Sequence, residues 1–156
     1  MLVALWLLGC ADEAATDEGG CAVDAAPGTA SATVDGEDWT GGGATWQWAG
    51  ESLQLNTVGA GSWWMSLVAQ TTTDGATLKA AVDAGAFPLT ISLVDGGWAT
   101  FYPDSGGSLS SQSGDGELVL TDASATSLRG CFWFEASADA ATVTVEDGAI
   151  DAEVLE

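Results

Sequence analysis

The chain is 156 residues long, the size of one domain, with 23 acidic residues against two basic ones, no histidine and a formal charge of −21. That balance excludes nucleic acid as a partner, because neutralising phosphates takes clustered Lys and Arg, and it excludes a basic patch as the means of reaching an anionic membrane. It is not the composition of a disordered acidic polymer either: 47% of the residues are hydrophobic and eight are tryptophan, enough apolar surface to offset chain entropy.

Residues 1–9, MLVALWLLG, form an apolar run that stops at Cys10. The run is too short to span a bilayer, which takes about 20 residues, and it fits the apolar centre of a secretory signal. Its end, Leu7-Leu8-Gly9-Cys10, resembles the bacterial lipobox. The resemblance implies a signal peptide cleaved before Cys10, acylation of that cysteine, export, and attachment to the membrane through the lipid. Ala11 after the cysteine favours the outer over the inner membrane. No Lys or Arg precedes the apolar run, a departure from the signal pattern that a start assigned too far downstream accounts for. Residues 10–30 are small, acidic and glycine-containing, with no apolar period, and read as a flexible tether. A single domain is expected over 31–156.

From residue 31 onward, apolar and polar side chains alternate. Leu89, Ile91 and Leu93 alternate with Thr90, Ser92 and Val94, and Leu128, Gly130, Phe132 and Phe134 with Arg129, Cys131, Trp133 and Glu135. This is the period of strands with one face in a core. Strands are expected near 31–35, 44–49, 53–58, 62–70, 87–94, 97–102, 117–122, 127–136, 141–146 and 149–155. Five Asp-Gly pairs, beginning at Asp35, Asp74, Asp95, Asp115 and Asp147, read as turns, with the clearest hairpin at Asp147-Gly148. One helix is expected over 76–84, capped by Asp74 and stopped by Gly85. The expected fold is all-β: an antiparallel β-sandwich, or alternatively a small β-barrel, of about nine or ten short strands with at most one short helix.

A resemblance covers roughly residues 31–155. Thr33-Val34-Asp35-Gly36-Glu37-Asp38-Trp39, Phe87-Pro88-Leu89, Phe101-Tyr102, Gly116-Glu117-Leu118-Val119-Leu120-Thr121, Gly130-Cys131-Phe132-Trp133-Phe134 and the closing segment 143–148 resemble an uncharacterised family of bacterial lipoproteins. The resemblance implies a β-rich, lipid-anchored protein. That family has no established activity, so no functional residues carry over.

Chemistry is sparse. Without histidine, Ser-His-Asp and Cys-His nucleophile systems are absent, and two cysteines alone make no zinc site. With Cys10 lipidated, export to an oxidising compartment favours a disulfide between Cys21 and Cys131, the alternative being two free thiols. Lys79 and Arg129 read as surface partners of nearby acids. Asp104, Asp115 and Glu117, in two polar glycine-rich stretches, are weak calcium candidates set against ordinary turn chemistry; no other cofactor is expected. Trp46, Trp48 and Trp133 are candidates for stacking on a ligand. The expected function is a non-catalytic structural or interaction module of the cell envelope. The alternatives are a glycan-binding module, calcium-assisted or not, and a hydrolase using two carboxylates.

Overall fold

The computed structural model describes residues 21, 23–59 and 64–155. Cys10, the signal segment and most of the tether lie outside the described residues. Nine strands and one short helix follow in the order β1 (Thr29–Val34), β2 (Glu37–Ala49), β3 (Ser52–Gly59), β4 (Trp64–Ala69), α1 (Leu78–Asp83), β5 (Leu89–Ser92), β6 (Gly97–Tyr102), β7 (Leu109–Ala123), β8 (Ser127–Ala138) and β9 (Ala141–Val154).

All nine strands belong to one sheet. Antiparallel pairings run from β6 through β4, β3, β2, β1, β9 and β8 to β7, and β7 in turn pairs β6 through Thr100↔Ser110 and Phe101↔Leu109. The sheet therefore rolls round until its ends meet. The seam is short and split, because further along β7 it is β5 that pairs, from Leu89↔Leu120 to Ser92↔Glu117. This is the expected all-β, antiparallel architecture: one continuous sheet as in a barrel, closed by a broken seam. A single parallel contact, Thr45↔Glu153 and Trp46↔Val154, forms where β1 has not yet begun and β2 meets β9 directly.

The alternating residues meet inside the roll. Leu53, Leu55, Met65, Leu67, Ile91, Leu118, Leu120, Leu128, Phe132, Phe134, Val145 and Ile150 share one buried cluster to which every strand contributes. α1 lays Leu78, fully buried, into one end of it. Its N-cap is Thr77, without a side-chain cap bond. Asp74, expected to cap the helix, instead closes the preceding turn: the Thr72 hydroxyl and the Ala76 backbone N–H donate to it and hold its carboxyl below the usual range. Gly85 does end the helix, with φ +67° and its N–H donated to Val82.

Several strands run longer than expected. Gly41-Gly42-Gly43 reads as a loop but lies within β2, where Gly41 leaves the room that the Trp39 indole occupies; a Cβ there would sit 2.5 Å from the ring. Asp35-Gly36 is the expected tight turn, with φ +49° and +81° joining β1 to β2. Asp115-Gly116 and Asp147-Gly148 are not turns. They lie inside β7 and β9, so the expected strands 141–146 and 149–155 are one. The register shifts between Phe132 and Phe134 as β9 bulges opposite them. Asp147 adopts φ +50° there, the left-handed geometry that bulges as well as turns exploit.

Cys21 and Cys131 form a disulfide across 110 positions, attaching the chain ahead of β1 to the outside of β8. The chain-entropy model values closure of so long a loop at about 4.7 kcal/mol. The Cys21→Ser/Cys131→Ser double variant is therefore expected to lose about 2–5 kcal/mol, read as a lower urea midpoint with a steeper slope, because the unfolded chain without its crosslink exposes more surface. The wild type in reductant should match it. Phe134→Ala, which empties the core, should cost about 3–5 kcal/mol, whereas Val58→Ala on the exposed surface should stay within about 0.5 kcal/mol of wild type by the same measurement.

Candidate functional site

Rolling the sheet sends every second residue outward, and the outward sets differ sharply around the ring. On β2, β3, β4 and β6 the cross-strand register aligns them in three rows. Val58, Trp64 and Tyr102 form one row. Thr45, Asn56, Ser66 and Thr100 form the next, and Gln47, Gln54, Val68 and Trp98 the third. None of these eleven side chains is charged, in a chain with 23 acids.

The rows are ordered by their own contacts. Trp64 and Tyr102 stack with ring centroids 3.5 Å apart and planes 2° from parallel, Trp64 remaining 36% exposed. Gln47 Nε2 donates to Gln54 Oε1 at 3.0 Å, which orients both amides and leaves each with further donor and acceptor capacity. Trp98 is half-buried beside Val68, which is itself buried although it points outward. The result is a surface of indole and phenol rings interleaved with amides and hydroxyls.

Across the roll the composition reverses. β3 stands opposite β8 and β4 opposite β9 in the ring of pairings. Here the outward residues include Glu117, Arg129, Cys131, Trp133 and Glu135. Arg129 Nε lies 3.1 Å from Asp151 Oδ2, an ion pair whose carboxylate is nearly enclosed. Lys79, the other basic residue, pairs with Asp83 at 3.3 Å on α1. Both cations are thus surface partners of acids, as expected from the sequence.

The three tryptophans singled out from the sequence do not form one platform. Trp46 is buried, at 7% exposure, and has its ring edge against Trp48 with centroids 6.5 Å apart. Trp48 is half-buried against the core and carries the Lys79 ammonium 5.0 Å from its ring centroid. Only Trp133, 43% exposed, offers a free ring, and it sits on β8, away from both. The calcium candidates are likewise dispersed. Asp104 lies in the β6–β7 connection, while Asp115 and Glu117 lie on β7, the Asp115 carboxylate accepting from the Gly116 N–H at 2.8 Å. Among the described residues no three acids or cysteines gather closely enough to hold a metal ion.

Trp64, Trp98 and Tyr102 are the residues that reading the sequence passed over. Each sits at an outward position of an alternating strand, so its exposure was in principle legible. Their coming together depends on β4 pairing with β6 across the intervening α1 and β5, which no local pattern announces.

Comparisons of the chain with protein-family models, with curated proteins and with solved structures found no match.

Proposed function

We propose that this chain is a non-catalytic binding module of the cell envelope, held by lipid on Cys10, and that its uncharged face takes up a neutral polysaccharide. The supporting observation is the absence of charge from eleven outward positions on four adjacent strands of a strongly acidic chain. Solubility alone favours acids on every exposed strand; a surface kept free of them suits a ligand that carries no charge. Aromatic rings present flat apolar faces to the C–H faces of a sugar. The amides of Gln47, Gln54 and Asn56 supply paired donors and acceptors for its hydroxyls.

The lipid anchor rests on Leu7-Leu8-Gly9-Cys10, and the arrangement of the roll is compatible with it. The segment following the anchor is bound by the disulfide to β8, on the side opposite β3. An anchored protein would then present the β3 side of the neutral face away from its attachment. Several acyl chains make such anchoring durable, since one alone binds only marginally.

Co-sedimentation with insoluble neutral polysaccharides (cellulose, chitin, a mixed-linkage glucan, xylan) tests this reading. Binding to at least one is expected to persist at about 1 M salt, where charges are screened beyond roughly 3 Å. Trp64→Ala and Trp98→Ala should each weaken it about 2- to 12-fold without altering the thermal midpoint by more than a few degrees. No binding across the panel, binding abolished by salt, or binding indifferent to both substitutions would contradict it.

A further inference from the structure

Trp133 is the most exposed indole among the described residues, and it stands in a setting unlike that of the neutral face. A depression of about 490 Å³ opens around it on the outside of β7, β8 and β9. The Cys21–Cys131 disulfide forms one wall. Glu117 lies directly across from Trp133 on β7, a position that brings neighbouring Cβ atoms to about 5 Å. On the other flank the β9 bulge presents Glu146 and Asp147, both exposed. Gly148 follows, where a Cβ would lie 2.4 Å from the Phe132 carbonyl oxygen, so the bulge is seated tightly against β8.

These three carboxylates have no basic partner among the described residues. Lys79 is engaged with Asp83 and Trp48, and Arg129 with Asp151. Negative potential around a free aromatic face is the arrangement that attracts an organic cation, whose diffuse charge rests on the ring while acids flank it. A metal ion needs its oxygens gathered at one point, whereas here they frame the ring from two sides, and among the described residues no group is close enough to hold a metal.

We propose that this depression binds an organic cation, a quaternary ammonium or guanidinium group placed on Trp133 between Glu117 and the Glu146–Asp147 bulge. The site is independent of the neutral face. It also depends on the disulfide, which holds the segment at Cys21 in place as its wall.

The test is titration of the full chain with choline, arginine amide, the tripeptide Gly-Arg-Gly and, as the uncharged counterpart of choline, 3,3-dimethylbutanol, following the Trp133 indole N–H resonance assigned with Trp133→Phe. Choline and arginine amide should shift that resonance saturably, while the alcohol should not. By calorimetry, which does not need that resonance, Trp133→Ala should weaken binding about 2- to 30-fold, Trp133→Tyr should retain most of it, and Glu117→Gln should weaken it with the fold intact. Tighter binding of Gly-Arg-Gly than of arginine amide would identify a peptide side chain as the source of the cation; the reverse would identify a free metabolite, and either supports the site. Equal response to the alcohol, no saturable response to any cation, or identical binding in Trp133→Ala would overturn it.

Discussion

A sheet that closes on itself divides every strand into two residue sets, and no strand escapes the division. The inward set here is committed to one core, from Leu53 on β3 to Phe134 on β8 and Ile150 on β9. Because β7 pairs both β6 and β8, the outward set has no second sheet to pack against and stays free to vary from strand to strand. The unlike outer faces, one neutral and aromatic, the other acidic with a lone exposed indole, follow from that freedom. Closure also removes most of the exposed strand edge that invites aggregation, so the surface can carry tryptophans without a neighbouring edge that would recruit other chains.

The second organising feature is the covalent link between Cys21 and Cys131. It binds the polypeptide entering the domain to β8 and thereby assigns the roll a near side and a far side. Gly28 donates to the Asp151 carbonyl and accepts from Ala44, continuing the attachment into the start of β1. At the centre of the neutral face, β3 lies four strands from β8 in either direction round the ring, while β6 lies two strands from it through β7. Charge follows the same division: Glu117 and Glu135 stand outward on β7 and β8, whereas the eleven aligned outward positions of β2, β3, β4 and β6 carry none.

Much of the architecture was written in the period of two. Alternation at Leu128–Phe134 and at Leu89–Leu93 marked the strands and named the core residues that the structure buries. The disulfide was legible from cysteine number together with the expectation of export. What misled was glycine. Gly41-Gly42-Gly43 and the Ser/Gly-rich stretch before Leu118 look like breakers, yet Gly41 and Gly42 pair with both β1 and β3, Gly43 with φ +59° sits in a register shift of β2, and β7 pairs with β8 on both sides of a second shift between Ser110 and Asp115. Asp-Gly was ambiguous for a physical reason: the left-handed backbone that turns a hairpin at Asp35-Gly36 also makes the bulge at Asp147. The aromatic pair Trp64–Tyr102 was beyond local reading altogether, since strands separated in sequence had to be brought into register before the rings could meet.

The claim that the neutral face is the contact surface is open to direct mapping. In an isotope-labelled sample each tryptophan contributes its own indole N–H signal, and a soluble neutral oligosaccharide can be added stepwise. Movement of the Trp64 and Trp98 signals, with Trp39, Trp46 and Trp133 unmoved, is the pattern that the charge-free rows of β3, β4 and β6 demand. Movement centred on Trp133 with Trp64 and Trp98 still would place the ligand on the acidic side of the roll and contradict the assignment.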